Sequence, residues 1–326
     1  MTNAPAHKRK MIIDTDTASD DAVAILMALR WPDVEVLAIT VVMGNVDVAQ
    51  GSLNARYTVE LAGAQTPVYA GCDRPLLRKP VYAHWYHGPD GMGAMNYPAP
   101  RLPQSNSHAV DVIIDLIKQH PGEITLVTLG PLTNIAAALA RAPEIAPLVG
   151  RCVIMGGALV HIGNVTPAAE YNMWVDPEAA RMVIRSGMAI ELVSWETGLG
   201  AANLSRAEID QVYALNTPYA KFAMDCNVHA LRSSQEWLGD PGLIMNDPVT
   251  MAIALDPSIV DRSGRYRVDV ETQGELTRGM TVVDTRNVVG SQAEFTDNWA
   301  VRQPNALVDF TVHPQRWKDV LFACLR

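Results

Sequence analysis

The sequence has no apolar run approaching the roughly 20 residues that a membrane-spanning helix needs. It is also short of positive charge: 26 basic against 35 acidic residues leave a net charge of −9, which argues against nucleic-acid and anionic membrane partners. No two cysteines form a CxxC pair, so we expect reduced, mostly buried thiols in a cytoplasmic protein. The four cysteines are Cys72, Cys152, Cys226 and Cys324.

No linker or internal repeat divides the 326 residues, which favours a single domain over residues 1–326. The charged first ten residues lead into no signal-peptide apolar segment, because the short apolar stretch at 11–13 stops at Asp14. We therefore expect residues 1–10 to be flexible.

The chain does contain a regular alternation of short β-branched runs with helical patterns. Strands are predicted at 10–13, 34–42, 68–69, 124–129, 152–155 and 190–193, and helices at 21–29, 48–61, 134–141, 177–185 and 249–255. Near-continuous apolar strands between helices are typical of a parallel sheet that is covered on both faces. The sequence therefore predicts an α/β fold with an open, mostly parallel, Rossmann-like sheet. Its active site is expected at the carboxyl ends of the strands.

Two segments break this alternation. Residues 74–107 are rich in Pro, Gly, His, Tyr and Trp without clear periodicity, and a loop of that length is usually functional or mobile. We predict that they form a lid, and call them the lid segment. Residues 205–237 have an amphipathic helical pattern outside the alternating core and are predicted to form a helical cap region.

The strongest chemical signal is the acidic segment at residues 14–21 (DTDTASDD), directly after the first predicted strand. One acid there could cap the following helix, but four like charges exceed any capping need and repel one another. A hard cation with oxygen ligands would hold them together, and Ca²⁺ suits carboxylates combined with carbonyls. The alternative is a solvated acidic loop with a single helix cap.

This segment resembles the DxDxxxDD motif of the inosine-uridine-preferring nucleoside hydrolases, which are calcium-dependent N-ribohydrolases. Further segments follow in the order found in that family: 87–91 (HGPDG), 129–134 (LGPLTN), 155–157 (MGG), 163–172 (GNVTPAAEYN) and 246–248 (NDP). The resemblance implies hydrolysis of ribonucleosides to ribose and free base, in purine or pyrimidine salvage. It also implies a homodimer or homotetramer.

The resemblance further implies one Ca²⁺ ion at the bottom of a pocket. Its protein ligands would be the carboxylates of Asp16, Asp21 and Asp247 and the carbonyl of Leu129, with ribose hydroxyls and the attacking water completing the shell. Asp16 would also be the general base that takes a proton from that Ca²⁺-bound water. Asp247 could alternatively cap the helix predicted at 249–255.

For the sugar, the resemblance implies that Asp20 holds the ribose hydroxyls and that Asn164, Glu170 and Asn172 grip the rim. Asp14 would support the acidic cluster from behind, and Met155 would contact the substrate. Simpler interpretations remain for some of these segments: a tight turn at 155–157, a turn at Asn164, and a loop or helix entry at Glu170 and Asn172. Thr133 and Asn134 are predicted to cap their helix.

One position departs from the family pattern. Well-studied inosine-uridine enzymes carry a histidine immediately before the last metal-binding aspartate, where it serves the leaving base, and this chain has Asn246 there. An amide cannot act as an acid, although it can hydrogen-bond a base edge. Candidate substitutes are stacking by Trp85 and Tyr86 of the lid segment, or an acid at His229 or His87. The sequence therefore leaves base preference open.

A second departure lies at residues 193–197 (VSWET), where relatives usually carry an Asp-Val pair. Its acid, Glu196, is a candidate supporting residue. Three alternatives to a standard ribohydrolase remain: a hydrolase of modified ribonucleosides, a catalytically silent nucleoside-binding protein, and a haloacid-dehalogenase-like phosphatase. The phosphatase interpretation is disfavoured because position 18 is Ala, where Asp-x-Asp-x-Thr/Val would be expected.

Overall fold

The computed structural model describes residues 8–286 and 303–326. An eight-stranded sheet runs in the order β3-β2-β1-β4-β5-β6-β10-β7, and all neighbours are parallel except β10 and β7. β8 and β9 form a separate antiparallel pair. The strands are β1 Arg9–Thr15, β2 Val34–Val41, β3 Val68–Ala70, β4 Ile124–Thr128, β5 Arg151–Met155, β6 Ile190–Val193, β7 Val260–Tyr266, β8 Val268–Val270, β9 Thr281–Val283 and β10 Ala306–Val312. The predicted open, mostly parallel sheet is confirmed.

Helices cover both faces of this sheet. The α-helices are α1 Ser19–Arg30, α2 Val48–Leu61, α3 His84–His87, α4 Ala109–Gln119, α5 Thr133–Arg141, α6 Tyr171–Val175, α7 Pro177–Ile184, α8 Arg206–Ala214, α9 Pro218–Asp225, α10 Val228–Trp237, α11 Asn246–Leu255 and α12 Pro314–Leu325. Short 3₁₀ helices lie at Pro143–Leu148, Trp195–Gly198, Gly200–Ala202 and Pro257–Ile259.

The core has two layers, one on each face of the sheet. Successive side chains of β1 point to opposite faces, so Met11 and Ile13 join the cluster formed with α1, α2, α11 and α12. Ile12 joins the opposite cluster, formed with α4, α5 and α7. Because both faces of β1 are covered, its central residues 11–13 are all apolar and buried, and this apolar run is what makes the strand predictable from the sequence.

The sheet order reverses on either side of β1, since the chain proceeds outwards through β2 and β3 and then returns to add β4. Open α/β sheets bind ligands at such a switch point, in the crevice beyond the strand carboxyl ends. Here the loop after β1 and the loop after β4 meet at that crevice. Helix α11 packs against α1 and is buried along its whole length from Asp247, so the starts of both helices lie near the same place.

The two irregular regions have definite positions. The lid segment contains α3 and is attached at its base, where Leu76 N–H donates to Asp176 (2.9 Å) and the Tyr171 hydroxyl to the Val81 carbonyl (2.6 Å). The cap region consists of α8, α9 and α10, and α3 packs on α10 through a Tyr86–Ser234 hydrogen bond of 2.7 Å. Closure by the lid segment stays a prediction.

At the start of the chain, β1 already includes Arg9 and Lys10, with Arg9 bonded to Asp33, so the ordered fold begins inside the segment expected to be flexible. Residues 1–7 lie outside the described residues. All four cysteines are free, and all except the half-buried Cys72 are buried. None of the helices within residues 8–286 and 303–326 combines the length and the apolarity needed to cross a membrane.

Candidate active site at the switch point of the sheet

A cavity of about 670 Å³ lies at the carboxyl ends of the central strands. Most of the site residues expected from the sequence, whether for substrate, catalysis or metal, reach its wall: Asp20, Trp85, His87, Leu129, Met155, Asn164, Glu170, Asn172, Asn246 and Asp247. The candidate Tyr86 lines it too. Sequence reasoning misses the other lining residues, which are Asn45, Ala83, Val165, Tyr171, Trp195, Leu238 and Ile244. Residues more than 220 positions apart in the chain therefore share one pocket, as the predicted strand-end geometry requires.

The floor of the cavity is a cluster of carboxylates. Oxygens of Asp20, Asp21 and Asp247 all lie within 4.8 Å of one another, a spacing that could hold a metal ion. Burial, followed by the charge of Asp21, raises the pKa of Asp20 to about 7 and that of Asp247 well above its usual range. The described residues that line the cavity include no lysine or arginine, so no protein cation offsets this charge.

Asp247 does not act as a helix cap. Helix α11 begins at Asn246, its N-cap is Met245, and no side chain caps it. The carboxylate therefore faces the cluster from the first turn of the helix, where the free N–H groups and the helix dipole favour negative charge.

Asp16 lies beside this floor, held between two glycines. The Asn45 N–H donates to its Oδ2 (2.6 Å), and a Cβ on Gly44 would overlap that same oxygen. On the other side, a Cβ on Gly130 would lie 2.7 Å from Oδ1. Oδ1 is buried and has no hydrogen-bond partner among the described residues, which leaves it available to a cation or a proton. Burial, reinforced by the neighbouring Asp21 charge, raises the pKa of Asp16 well above its usual range.

The acidic segment both caps the start of helix α1 and contributes carboxylates to the cavity floor. Asp21 accepts from the Ala18 N–H (2.9 Å) at the start of α1 and from the Thr15 hydroxyl (2.6 Å), so one acid of the four does serve the helix end. A merely solvated acidic loop is excluded, because Asp14, Asp16 and Asp21 are fully buried.

Asp14 supports the segment from behind. Its Oδ1 accepts from the Thr40 hydroxyl (2.5 Å) and from Asn134 Nδ2 (2.8 Å), and burial raises its pKa to about 7. The helix-cap prediction for Thr133 and Asn134 is wrong. Leu132 is the N-cap of α5, the Thr133 hydroxyl donates to Asp176 (2.7 Å), and the side-chain Oδ1 of Asn134 accepts from the Cys72 N–H (2.8 Å).

The sugar-facing residues are fixed by backbone contacts. Asn172 Nδ2 donates to the Leu129 carbonyl (2.7 Å) at the end of β4, and a carbonyl oxygen has a second lone pair for another partner. Glu170 caps α6, accepting from the N–H groups of Asn172 (2.8 Å) and Met173 (3.2 Å), and from that of Gly157 (2.9 Å). The helix-entry interpretation of Glu170 is therefore correct, and its side chain also lines the cavity.

The turn interpretation at residues 155–157 is also correct in part. Gly157 has a φ of 87°, which favours glycine, while Met155 lines the cavity. Asn164 orders the neighbouring loop, because its Oδ1 accepts from the Tyr171 N–H (2.9 Å). These residues thus combine local structural roles with positions on the wall.

The end of the cavity beyond the floor is aromatic. Trp85 is 46% exposed and stacks edge-on against Tyr86 and Trp237, with ring centroids 5.6 and 5.9 Å apart. Trp195, which sequence reasoning does not single out, is almost fully buried and is fixed by donation from Nε1 to the Ile162 carbonyl (2.9 Å). The signal for it is the departure from the family pattern at 193–197. Its neighbour Glu196 accepts from two loop N–H groups at 159 and 160, which supports the wall from behind.

The two candidate histidine acids differ in position. His87 reaches the cavity, but burial and the nearby His84 lower its pKa to about 3, so the ring is neutral near pH 7. Its Nδ1 is 2.8 Å from the Ser19 hydroxyl. His229 is not among the residues that line the cavity. Its ring packs on Gly88 instead, 3.2 Å from where a Cβ on that glycine would lie.

Comparison with known proteins identifies the same family that the sequence motifs resemble. The model of the inosine-uridine preferring nucleoside hydrolase family matches residues 11–319. The chain belongs to this family. It is 40% identical over 285 residues to the inosine-uridine preferring nucleoside hydrolase of Crithidia fasciculata, covering 86% of this chain and 89% of that protein. The phosphatase alternative is thereby excluded.

Solved nucleoside hydrolases share the whole fold. A plant nucleoside hydrolase superimposes with a TM-score of 0.91 at 31% identity, covering 97% of this chain and 98% of the other. A purine-preferring ribonucleoside hydrolase from Gardnerella vaginalis does so with a TM-score of 0.86, also at 31% identity and with the same coverage. The nucleoside hydrolase fold therefore accounts for the complete sheet and the cavity at its switch point.

Proposed function

We propose that this nucleoside hydrolase cleaves the N-glycosidic bond of ribonucleosides to give ribose and free base, with Asp16 as the general base. We further propose that a Ca²⁺ ion is held by Asp16, Asp21, Asp247 and the Leu129 carbonyl. The observation that carries this proposal is the buried carboxylate floor with no lysine or arginine on the described wall.

The donor set fits a hard cation. Carboxylate oxygens are combined with a carbonyl at the end of β4, and Asp16 Oδ1 is buried without a partner among the described residues, as a ligand oxygen would be before the ion binds. The Asp20 carboxylate lies within 4.8 Å of those of Asp21 and Asp247 and also lines the cavity, so it is placed to accept hydrogen bonds from the ribose hydroxyls. When bound, Ca²⁺ would supply charge that lowers the pKa of water and attracts the ribose hydroxyls.

The residues of the chain then divide the remaining work. Asp16 takes a proton from the attacking water through Oδ1, while Asn45 and the two flanking glycines keep the carboxylate in place. The negative floor stabilises the positive charge that develops on the ribosyl group as the bond to the base breaks. Asn164, Glu170 and Asn172 hold the sugar, and each is already ordered by a backbone hydrogen bond.

A panel of ribonucleosides tests this function, scored for released reducing sugar with and without a strong chelator. Purine and pyrimidine substrates both belong in the panel, because the named relatives include a purine-preferring and an inosine-uridine preferring enzyme. Calcium-dependent ribose release is expected. Absence of release from every ribonucleoside, with calcium bound in stoichiometric amount, would contradict the proposal.

We also propose that the protein acts in the cytoplasm as a homodimer or homotetramer. Free, mostly buried thiols support the first part, and the family resemblance supports the second. Light scattering coupled to gel filtration tests the assembly. A monomeric mass across the working concentration range would rule it out.

A further inference from the structure

The proton donors on the cavity wall are poorly suited to helping a base depart. His87 is neutral. Glu170 accepts backbone N–H groups through both of its carboxylate oxygens, so neither oxygen is oriented to donate a proton, even though burial raises its pKa. The Tyr171 hydroxyl donates to a backbone carbonyl, and the Tyr86 hydroxyl is paired with Ser234. Protonation of the base by any of these four side chains therefore has little support.

Asn246 is the exceptional amide of the cavity. Its Oδ1 is buried without a hydrogen-bond partner among the described residues. The other three asparagines on the wall each have a protein partner: Asn45 with Asp21, Asn164 with Tyr171, and Asn172 with Leu129. Asn246 is thus the amide whose orientation depends on packing.

Gly198 provides that packing. A Cβ on Gly198 would overlap Oδ1 of Asn246 and would lie 3.2 Å from its Cγ. The oxygen therefore faces the Cα hydrogen of the glycine, an arrangement that suits a carbonyl oxygen and would not suit an NH₂ group. Because Oδ1 is turned to Gly198, Nδ2 is the end of the amide left to face the cavity.

We propose that Nδ2 of Asn246 donates a hydrogen bond to an acceptor atom of the departing base, and that Gly198 is the positioning residue that orients the amide. This inference rests on the proposed function and deepens it. The favoured substrates are nucleosides whose base carries a ring nitrogen or carbonyl oxygen conjugated with the glycosidic nitrogen. Such an atom takes up the negative charge that develops as the bond breaks.

The step balances without an acid. The C1′–N bond breaks with its electron pair going to the base, and the water oxygen bonds to C1′ while one of its protons passes to Asp16. The base departs as an anion whose acceptor atom is held by Asn246, and it takes a proton from solvent on release. A hydrogen bond to a charged acceptor is worth a rate factor on the order of 10–10².

The experiment compares inosine with p-nitrophenyl riboside, whose leaving group is already a stable anion. Asn246→Ala and Asn246→Asp should each lower kcat for inosine about 10–10²-fold more than for p-nitrophenyl riboside, because neither variant offers the N–H donor. In the otherwise wild-type enzyme, Gly198→Ala should likewise lower kcat for inosine more than for p-nitrophenyl riboside. In the Asn246→Ala background the same glycine substitution should cost nothing further, because the atom it displaces is gone.

Two results would overturn the inference. The first is that Gly198→Ala lowers kcat equally for both substrates. The second is that Gly198→Ala lowers kcat for inosine as much in the Asn246→Ala background as it does in the wild-type enzyme. Calcium affinity is measured in every variant, because the floor carboxylate Asp247 is the next residue. If the natural enzyme cleaves neither substrate, the proposed function fails and this inference with it. If the wild-type enzyme shows calcium-dependent cleavage of p-nitrophenyl riboside, and the Asn246 and Gly198 variants lose no more activity on inosine than on that substrate, only the inference fails.

Discussion

The position of Asp16 between two glycines makes a sharp prediction for Gly130→Ala. The new Cβ would lie 2.7 Å from Oδ1, whereas ordinary contacts begin at 3.4 Å, so the two atoms must separate by about 0.7 Å. The carboxylate cannot simply retreat, because Gly44 and the Asn45 N–H close in on its other oxygen. The substitution should therefore displace the oxygen that is proposed to take the proton.

The magnitude follows from that displacement. A misplacement of about 1 Å in a catalytic group can cost about 10²-fold in rate, so we expect kcat to fall about 10–10²-fold. Overpacking a tight site should also lower the free energy of unfolding by about 1–3 kcal/mol. Calcium affinity should fall as well, since the same oxygen is a proposed ligand.

Gly150→Ala is the matched control. Its Cβ would overlap the Gly122 carbonyl oxygen, at the start of β5 and therefore at the opposite end of the strand from the site. It should lower stability to a similar extent and leave kcat unchanged. Initial-rate kinetics, calcium titration and denaturant melts on both variants decide the matter. Full activity and natural calcium affinity in Gly130→Ala would refute the reasoning about the glycine pair.

Four further outcomes are expected. Removing divalent ions should abolish turnover and calcium should restore it; chelator-resistant activity in a metal-free protein would contradict this. Asp16→Asn should lower kcat roughly 10²–10⁴-fold with calcium content measured alongside, and near-natural turnover would exclude it as the base. 2′-Deoxyribonucleosides should be disfavoured by up to about 10⁴–10⁵ in kcat/KM, because a site built around Asp20 and Asn172 to bond the hydroxyl loses its partner; equal values for inosine and deoxyinosine would count against that grip. Burial, followed by the charge of Glu191, raises the pKa of Asp309 to about 8. The folded state thus holds a proton that the unfolded state releases near pH 4, and the free energy of unfolding should fall as pH rises from about 4 to 8. Asp309→Asn should flatten that slope in denaturant melts, and an unchanged slope would disprove it.

The parts of the fold that could be predicted from sequence are those with strong local patterns. Helix α2 and strand β6 have the predicted bounds, because apolar periodicity and flanking residues mark both ends. Strand β7 was not predicted, since it is an antiparallel edge strand whose sequence has neither an apolar run nor a regular alternation of buried and exposed residues. Helices α4 and α12 and strand β10 were also missed.

The candidate site divides in the same way. The density of acids in residues 14–21 is a local signal, so the part of the floor formed by Asp20 and Asp21 is predictable from it, whereas Asp247 was expected only from the family resemblance. The partnership of Asn134 with Asp14 joins residues 120 positions apart, and the contact between Gly198 and Asn246 depends on how the 3₁₀ helix Trp195–Gly198 packs against the start of α11. His229 shows the limit of helical spacing. It follows Asp225 by four residues, but α9 ends at Asp225 and α10 begins at Val228, so the two side chains do not share one helix, and the His229 ring packs on Gly88.

The packing of α1 against α11 also has a consequence for assembly of the chain. The floor joins acids at the starts of these two helices, and Asp21 and Asp247 lie more than 220 positions apart in the sequence. An emerging chain cannot complete the ion site until most of it has been synthesised, so early segments should bind calcium weakly. Once folded, a cation shared by both helices would bind only the native state, adding about 2.7 kcal/mol at a concentration 100 times its Kd. The ion that is proposed to support catalysis would then also stabilise the native fold, by linking helix α1 to helix α11.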